Sequence, residues 1–139
     1  MRARLIGLLL QSGNLFDHLT VRQNVALKMS FAGQKDAARI DEVLELVGIS
    51  TRRNAYPSQL SGGEASRAGL AVVLAPRPPV IIADEPTGEV DGQTEQKILE
   101  LFDTHRKGGG ASLIVTHSEA LASRANRIVR LDDGKILHD

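Results

Sequence analysis

Two adjacent carboxylates, Asp84 and Glu85, close the run VIIADE. The residues ahead of them, 80–83, are apolar, as in a strand buried in a sheet. Such a strand delivers both acids to one place, and ligands of open α/β sheets bind at strand C-termini. There Asp84 is suited to magnesium, which prefers hard oxygen ligands. Glu85 is suited to polarise an attacking water as general base. The plainer alternative is two solvated carboxylates at a strand end, and the abrupt switch from apolar to acidic weighs against it.

His117 follows another apolar run, SLIVT (112–116), and Gln11 follows LIGLLL (5–10). Each therefore ends a strand on the same sheet edge as Glu85. The imidazole can contact a terminal phosphate, and the Gln11 amide can coordinate magnesium or the attacking water. A lone histidine is more often an ordinary surface or core residue, so position is what singles this one out.

LSGGEASR (60–67) carries a different chemistry. Ser61 with Glu64 three residues on has the form of a capping box, in which a helix start satisfies its own amides. Gly62 and Gly63 add nothing to a cap and cost stability in a first helical turn. They make sense where another molecule approaches the backbone, and free first-turn amides beside a serine hydroxyl suit an anion.

These residues need elements to hold them. Helical spacing is predicted over 36–47, with Ile40, Val43, Leu44 and Val47 on one face and Gly48 as the stop. Further helices are predicted over 62–75 and over 91–106, where Ile98, Leu101, Phe102 and His105 share a face. A short helix capped by Ser118 should run to about 125. Strands at 127–131 and 135–138 flank the turn Asp133-Gly134. Apolar strands alternating with helices imply an α/β fold with a mostly parallel sheet and helices on its faces. The long link between the first two strands reads as an inserted helical subdomain (12–75). The α/β core is then 1–11 and 76–139.

Composition removes several classes of function. Seventeen acidic residues balance seventeen basic ones, so no field of one sign favours nucleic acid or an anionic membrane. With no cysteine, there is no disulfide, thiolate metal site or cysteine nucleophile. No apolar stretch reaches the ~18 residues of a membrane span, so membrane work would need another chain.

Gln11, LSGGE, VIIADE, Asp91 and His117 stand in the order and rough spacing of the ATP-binding domains of ABC transporters, which the chain resembles over nearly its whole length. YPSQLSGGEASRAGLAVVLA and ADEPTGEVD are most similar to the lipoprotein-release and macrolide-efflux group. The resemblance implies that Gln11 is the Q-loop glutamine, LSGGE the signature motif, and Asp84 and Glu85 the Walker B acids. Asp91 becomes the D-loop aspartate and His117 the switch histidine. It implies a P-loop NTPase core, ATP and Mg²⁺ as ligands, and ATP hydrolysis as the family activity. Gln11, Glu85 and His117 would be catalytic, Asp84 and Gln11 would hold the metal, and Ser61, Gly62, Gly63, Glu64 and Asp91 would bind nucleotide. The implied partners are a transmembrane permease and a second ATPase domain, without nucleic acid, on the inner face of the cell membrane.

Three departures stand out. Glu64 replaces the commoner glutamine of the signature, and Val90 the usual leucine. No G-x-x-x-x-G-K-[ST] phosphate loop occurs in the 139 residues. Gly134-Lys135 is part of a hairpin turn with no helix after it. The expectation is an N-terminally truncated cassette, inactive alone, with a sheet lacking the strand between 112–116 and 127–131. A second possibility is a half-site partner that lends its signature to a complete ATPase. A third is an ABC-type DNA-repair ATPase, for which the coiled coils and basic stripes are missing.

Overall fold

The computed structural model describes residues 2–138. A short helix α1 (Arg2–Leu5) leads into strand β1 (Ile6–Leu9). Three helices follow, α2 (Val21–Phe31), α3 (Ala37–Leu46) and α4 (Gly62–Leu74). Strand β2 (Val80–Asp84), helix α5 (Gly92–Lys107) and strand β3 (Ala111–Val115) complete the α/β unit. Helix α6 (Glu119–Ala122) and a hairpin of β4 (Arg130–Asp132) and β5 (Lys135–His138) end the chain. The sheet is parallel, in the order β1-β2-β3, with Leu9, Ala83 and Ile114 in one row.

The predicted helices sit where their caps place them. Asp36 and Asp91 cap α3 and α5 by accepting the amides of Arg39 and Thr94. The hairpin turns through Asp133 and Gly134, both at positive φ, as a tight two-residue turn requires.

Helix α2 lies where no helix was predicted. Its buried face is Val21, Asn24, Val25 and Met29, so a polar side chain interrupts the apolar stripe. Asn24 is nonetheless at home in the interior. Its Nδ2 donates to the carbonyls of Phe16, Leu19 and Thr20, and its Oδ1 accepts the Phe16 amide at 2.7 Å. The start of α2 is a capping box of Thr20 and Gln23, and the Val21 and Arg22 amides donate to the carbonyls of Ala55 and Arg53.

One hydrophobic cluster joins α2, α3, α4 and α5 to the sheet. Buried Arg39 locks α3 to the end of α4, donating to the carbonyls of Leu74 and Ala75 at 2.9 and 3.1 Å. Both are carbonyls at a helix end, where partners within the helix run out; Leu74 O also accepts the Arg77 amide at 3.0 Å. Helix α4 lies against β1 at Gly7, where a Cβ would stand 2.6 Å from Val73 Cγ1.

The sheet differs from expectation in one respect. Continuously apolar strands predicted cover on both faces, but the helices lie on one. Gly7, Leu9, Ile81 and Ala83 face the core, and Ser112, in the Gly7 row, meets His105 of α5. On the other face Ile6, Leu8, Leu113 and Val115 are exposed, the last two above 60% or at it. Among the described residues no element covers that face, β3 pairs only with β2, and β4 only with β5.

Candidate functional site

The register sets the site. Gln11 lies two residues past Leu9, Glu85 two past Ala83, and Thr116 two past Ile114, so three neighbouring strands release their polar residues along one edge. The sequence expectation for Gln11, Asp84, Glu85 and His117 is met to that extent.

Glu85 is the centre of this edge. Its backbone is left-handed, at φ 46°, a conformation costing a non-glycine residue roughly 1–3 kcal/mol. The surrounding bonds hold it there. Its amide donates to Val115 O at 2.9 Å and its carbonyl accepts Gly88 N–H at 3.1 Å. Its carboxylate turns toward β3: Oε1 accepts the His117 amide at 2.9 Å and Oε2 the Thr116 hydroxyl at 3.2 Å. The His117 imidazole Nε2 stands 3.6 Å from Oε1, on a fully exposed side chain. Glu85 therefore bridges β2 to the turn after β3, while the histidine ring faces solvent. Asp84, beside it, is exposed.

Sequence reasoning missed the residues that hold this edge. Asn14 closes the loop around Gln11: its Oδ1 accepts Leu10 N–H at 2.8 Å, and its Nδ2 donates to Leu10 O at 2.6 Å. Thr116, Ser118 and Glu95 form a hydrogen-bonded run behind His117. An asparagine just after Ser12-Gly13 is a turn signal that could have been read. The Glu95–Ser118 contact spans 23 residues and leaves no local trace.

The signature segment forms a separate group. Ser61 and Glu64 make the capping box, with Glu64 N–H donating to Ser61 Oγ at 3.2 Å and Ser61 N–H to Glu64 Oε2 at 2.9 Å. The Ser61 amide, helped by Arg52, holds the Glu64 carboxyl below its usual range. A Cβ on Gly62 would approach only Glu89, and one on Gly63 would meet nothing within 4 Å. The box thus accounts for Ser61 and Glu64, and the space at Gly63 stays open. Asp91 caps α5, taking the Thr94 amide at 2.9 Å and its hydroxyl at 3.1 Å. Those bonds, the Thr94 amide first, lower its carboxyl pKa. Among the described residues no hydrogen bond joins Ser61–Glu64 to Glu85 or His117. None forms a cluster of three or more metal-ligating side chains, and no helix is long and apolar enough to cross a membrane.

Comparison with known proteins matches this arrangement. A family model described as ABC transporter covers residues 1–88. The chain is 42% identical over 139 residues to an uncharacterized ABC transporter ATP-binding protein of Thermotoga maritima, spanning 98% of this chain and 59% of that protein. It is 41% identical to the lipoprotein-releasing system ATP-binding protein LolD of Bordetella avium, over 99% of this chain and 61% of LolD. The methionine import ATP-binding protein MetN of Brucella abortus is 42% identical, with 38% of its length covered. A solved dimeric ATP-binding cassette, MJ0796 bound to ADP and Pi, superposes with a TM-score of 0.92 at 33% identity, over 99% of this chain and 62% of that one. The chain spans less than two thirds of the length of each. On these matches, and on a fold shared with a solved cassette along almost all of its residues, the chain belongs to the family of ABC transporter ATP-binding proteins.

Proposed function

We propose that this chain serves an ABC transporter as the part of its ATP-binding subunit that presents the signature helix, the water-activating carboxylate and the switch histidine. The transport step belongs to a separate membrane subunit, on whose inner-face side the chain sits. The observation that carries this reading is the bridge from Glu85 to the Thr116–His117 turn, at the edge where Gln11 also emerges. Two of the carboxylate's lone-pair sites are engaged there, and the rest remain to orient a water in line with a phosphate. The exposed His117 ring would contact the transferred phosphoryl group.

Asp84 and Gln11 offer a carboxylate and an amide oxygen at adjoining strand ends, which fits Mg²⁺, an ion that takes few protein ligands and keeps water and phosphate oxygens for the rest. When bound, the ion neutralises charge on the phosphates. Asp84 and Gln11 would orient it.

No phosphate loop lies in these 139 residues, so the groups that grip the triphosphate would lie outside them. We assign α4 the half-site role: its first-turn amides and Ser61 close over an ATP bound to a complete second cassette. Open space at Gly63 favours this. Exposed Phe16, in the loop after Gln11, is our candidate contact for the membrane subunit. Helix α2 from Val21 confines the irregular part of this region to the residues before it.

Sedimentation of the chain with a full-length, hydrolysis-dead cassette, with and without ATP, tests the reading. Association should require ATP and be abolished by Ser61→Arg. Association that ignores nucleotide, or survives the arginine, would reduce the signature to a capped helix.

A further inference from the structure

The hydrogen bonds behind His117 have a fixed direction. The Ser118 hydroxyl donates to Glu95 Oε1 at 2.7 Å and accepts the Leu121 amide at 3.2 Å. The Ser118 amide donates to Thr116 Oγ1 at 3.0 Å. Since a hydroxyl has one proton, Thr116 then donates its own to Glu85 Oε2 at 3.2 Å. A single run thus leads from Glu95, on the first turns of α5, through Ser118 and Thr116 to Glu85. His117 lies inside it, and its own amide is bound to the same carboxylate.

We infer that Glu95 is a positioning residue for His117 and Glu85, acting through Ser118. The bond from Ser118 to Glu95 is the shortest of the run and, like that from Thr116 to Glu85, is charge-assisted. It joins α5, anchored in the core by Ile98, Leu99 and Phe102, to a turn in which Thr116 and Ser118 are half-buried and His117 is exposed. The His117 ring is fully exposed, with Glu85 Oε1 beside its Nε2 at 3.6 Å, so its place is set through the backbone of residues 116–118 and through Glu85. Without Glu95 the Ser118 hydroxyl can rotate, and the turn keeps only its bonds to Glu85 and to the start of α6. The functional meaning of this rests on the proposed roles of Glu85 and His117; the positioning does not.

The test is amide hydrogen exchange by NMR on the full 139-residue chain. Glu95→Ala should speed exchange of the His117 and Ser118 amides about tenfold, as loss of one charge-assisted bond allows. Amides in the middle of α5 should keep their rates. Glu95→Gln retains an oxygen that accepts the Ser118 hydroxyl, and should bring both rates back to within about threefold of the parent. In a Ser118→Ala background, which is compared at its own baseline, Glu95→Ala should have no further effect. Unchanged His117 exchange in Glu95→Ala overturns the inference. So does a glutamine that fails to restore it, since Glu95 would then act by charge on α5, or an undiminished Glu95 effect in the Ser118→Ala chain. None of these readouts needs nucleotide or a partner. Loss of ATP-dependent association would therefore count against the proposed function alone.

Discussion

The His117 amide donates to Glu85 Oε1 across 2.9 Å, tying the end of β2 to the turn that leaves β3. With the Thr116 hydroxyl on Oε2, this makes the acidic residue of the site a structural clasp as well. Its isostere should separate the two roles. In Glu85→Gln the amide oxygen still accepts His117 N–H, and the Thr116 hydroxyl can turn to accept from the new NH₂ group. Stability should therefore change by less than about 1 kcal/mol. Glu85→Ala loses both bonds and should cost about 1–3 kcal/mol. Urea midpoints for the two variants decide; equal losses would mean that the clasp contributes nothing.

The contact of β1 with α4 depends on a missing side chain. An added Cβ at Gly7 would lie 2.6 Å from Val73 Cγ1 and 2.9 Å from Pro78 Cγ. Gly7→Ala should destabilise by about 1–3 kcal/mol through overpacking. Val73→Ala removes one of the two clashing atoms, so the double variant should be more stable than the sum of the single losses predicts. Strict additivity in chemical denaturation would contradict the close approach.

Arg39 satisfies two carbonyls at the end of α4 and pairs with Glu42 at 3.0 Å. Arg39→Met fills a similar volume but donates nothing. Leu74 O keeps the Arg77 amide at 3.0 Å, but Ala75 O is left without a donor, and a buried unpaired carbonyl costs about 1–3 kcal/mol, so thermal unfolding should show a clear loss. A neutral substitution would mean that water replaces the guanidinium.

Asp91 gives a signed dependence on pH. Its carboxyl, held by the Thr94 amide and hydroxyl, titrates below the ordinary 3.8 in the folded chain. The folded state thus favours the ionised form. The stabilisation is complete above the ordinary value and is lost as pH falls through the lowered one. Asp91→Asn keeps an oxygen for the cap but no charge. The stability difference between parent and variant should be constant near neutral pH and shrink as pH falls below the ordinary carboxylate value. A difference that grew in acid would reverse the assigned sign.

The open sheet face should be visible in solution. Leu113 and Val115 are 63% and 60% exposed beside Ile6 and Leu8, an apolar patch of the kind that folded domains seldom leave bare. The chain should enhance anilinonaphthalene sulfonate fluorescence while fully folded. Leu113→Lys should lower that signal severalfold with little change in stability, because an exposed leucine has little packing to lose. Undiminished dye binding would place the patch elsewhere.

Much of this protein is local in origin and was legible in its residues. Helices α3, α4 and α5 begin at Asp36, Ser61 and Asp91 because a short polar side chain satisfies amides three residues on, and that is written within four positions. Strand periodicity brought Gln11, Asp84, Glu85 and His117 to one sheet edge, since parallel strands in register must release their ends together. What the sequence could not decide depends on partners distant along the chain. Helix α2 escaped notice because Asn24 is polar, and only the loop carbonyls of Phe16, Leu19 and Thr20 make its burial favourable. An apolar strand signals burial without saying on how many sides, so the bare face of β1 and β3 emerged only when α4 and α5 were seen on the same one. The clasp of Glu85 on the Thr116–His117 turn, and Glu95 behind it, join residues from three elements. Their hydrogen bonds exist because the sheet and α5 bring together side chains that no local spacing relates.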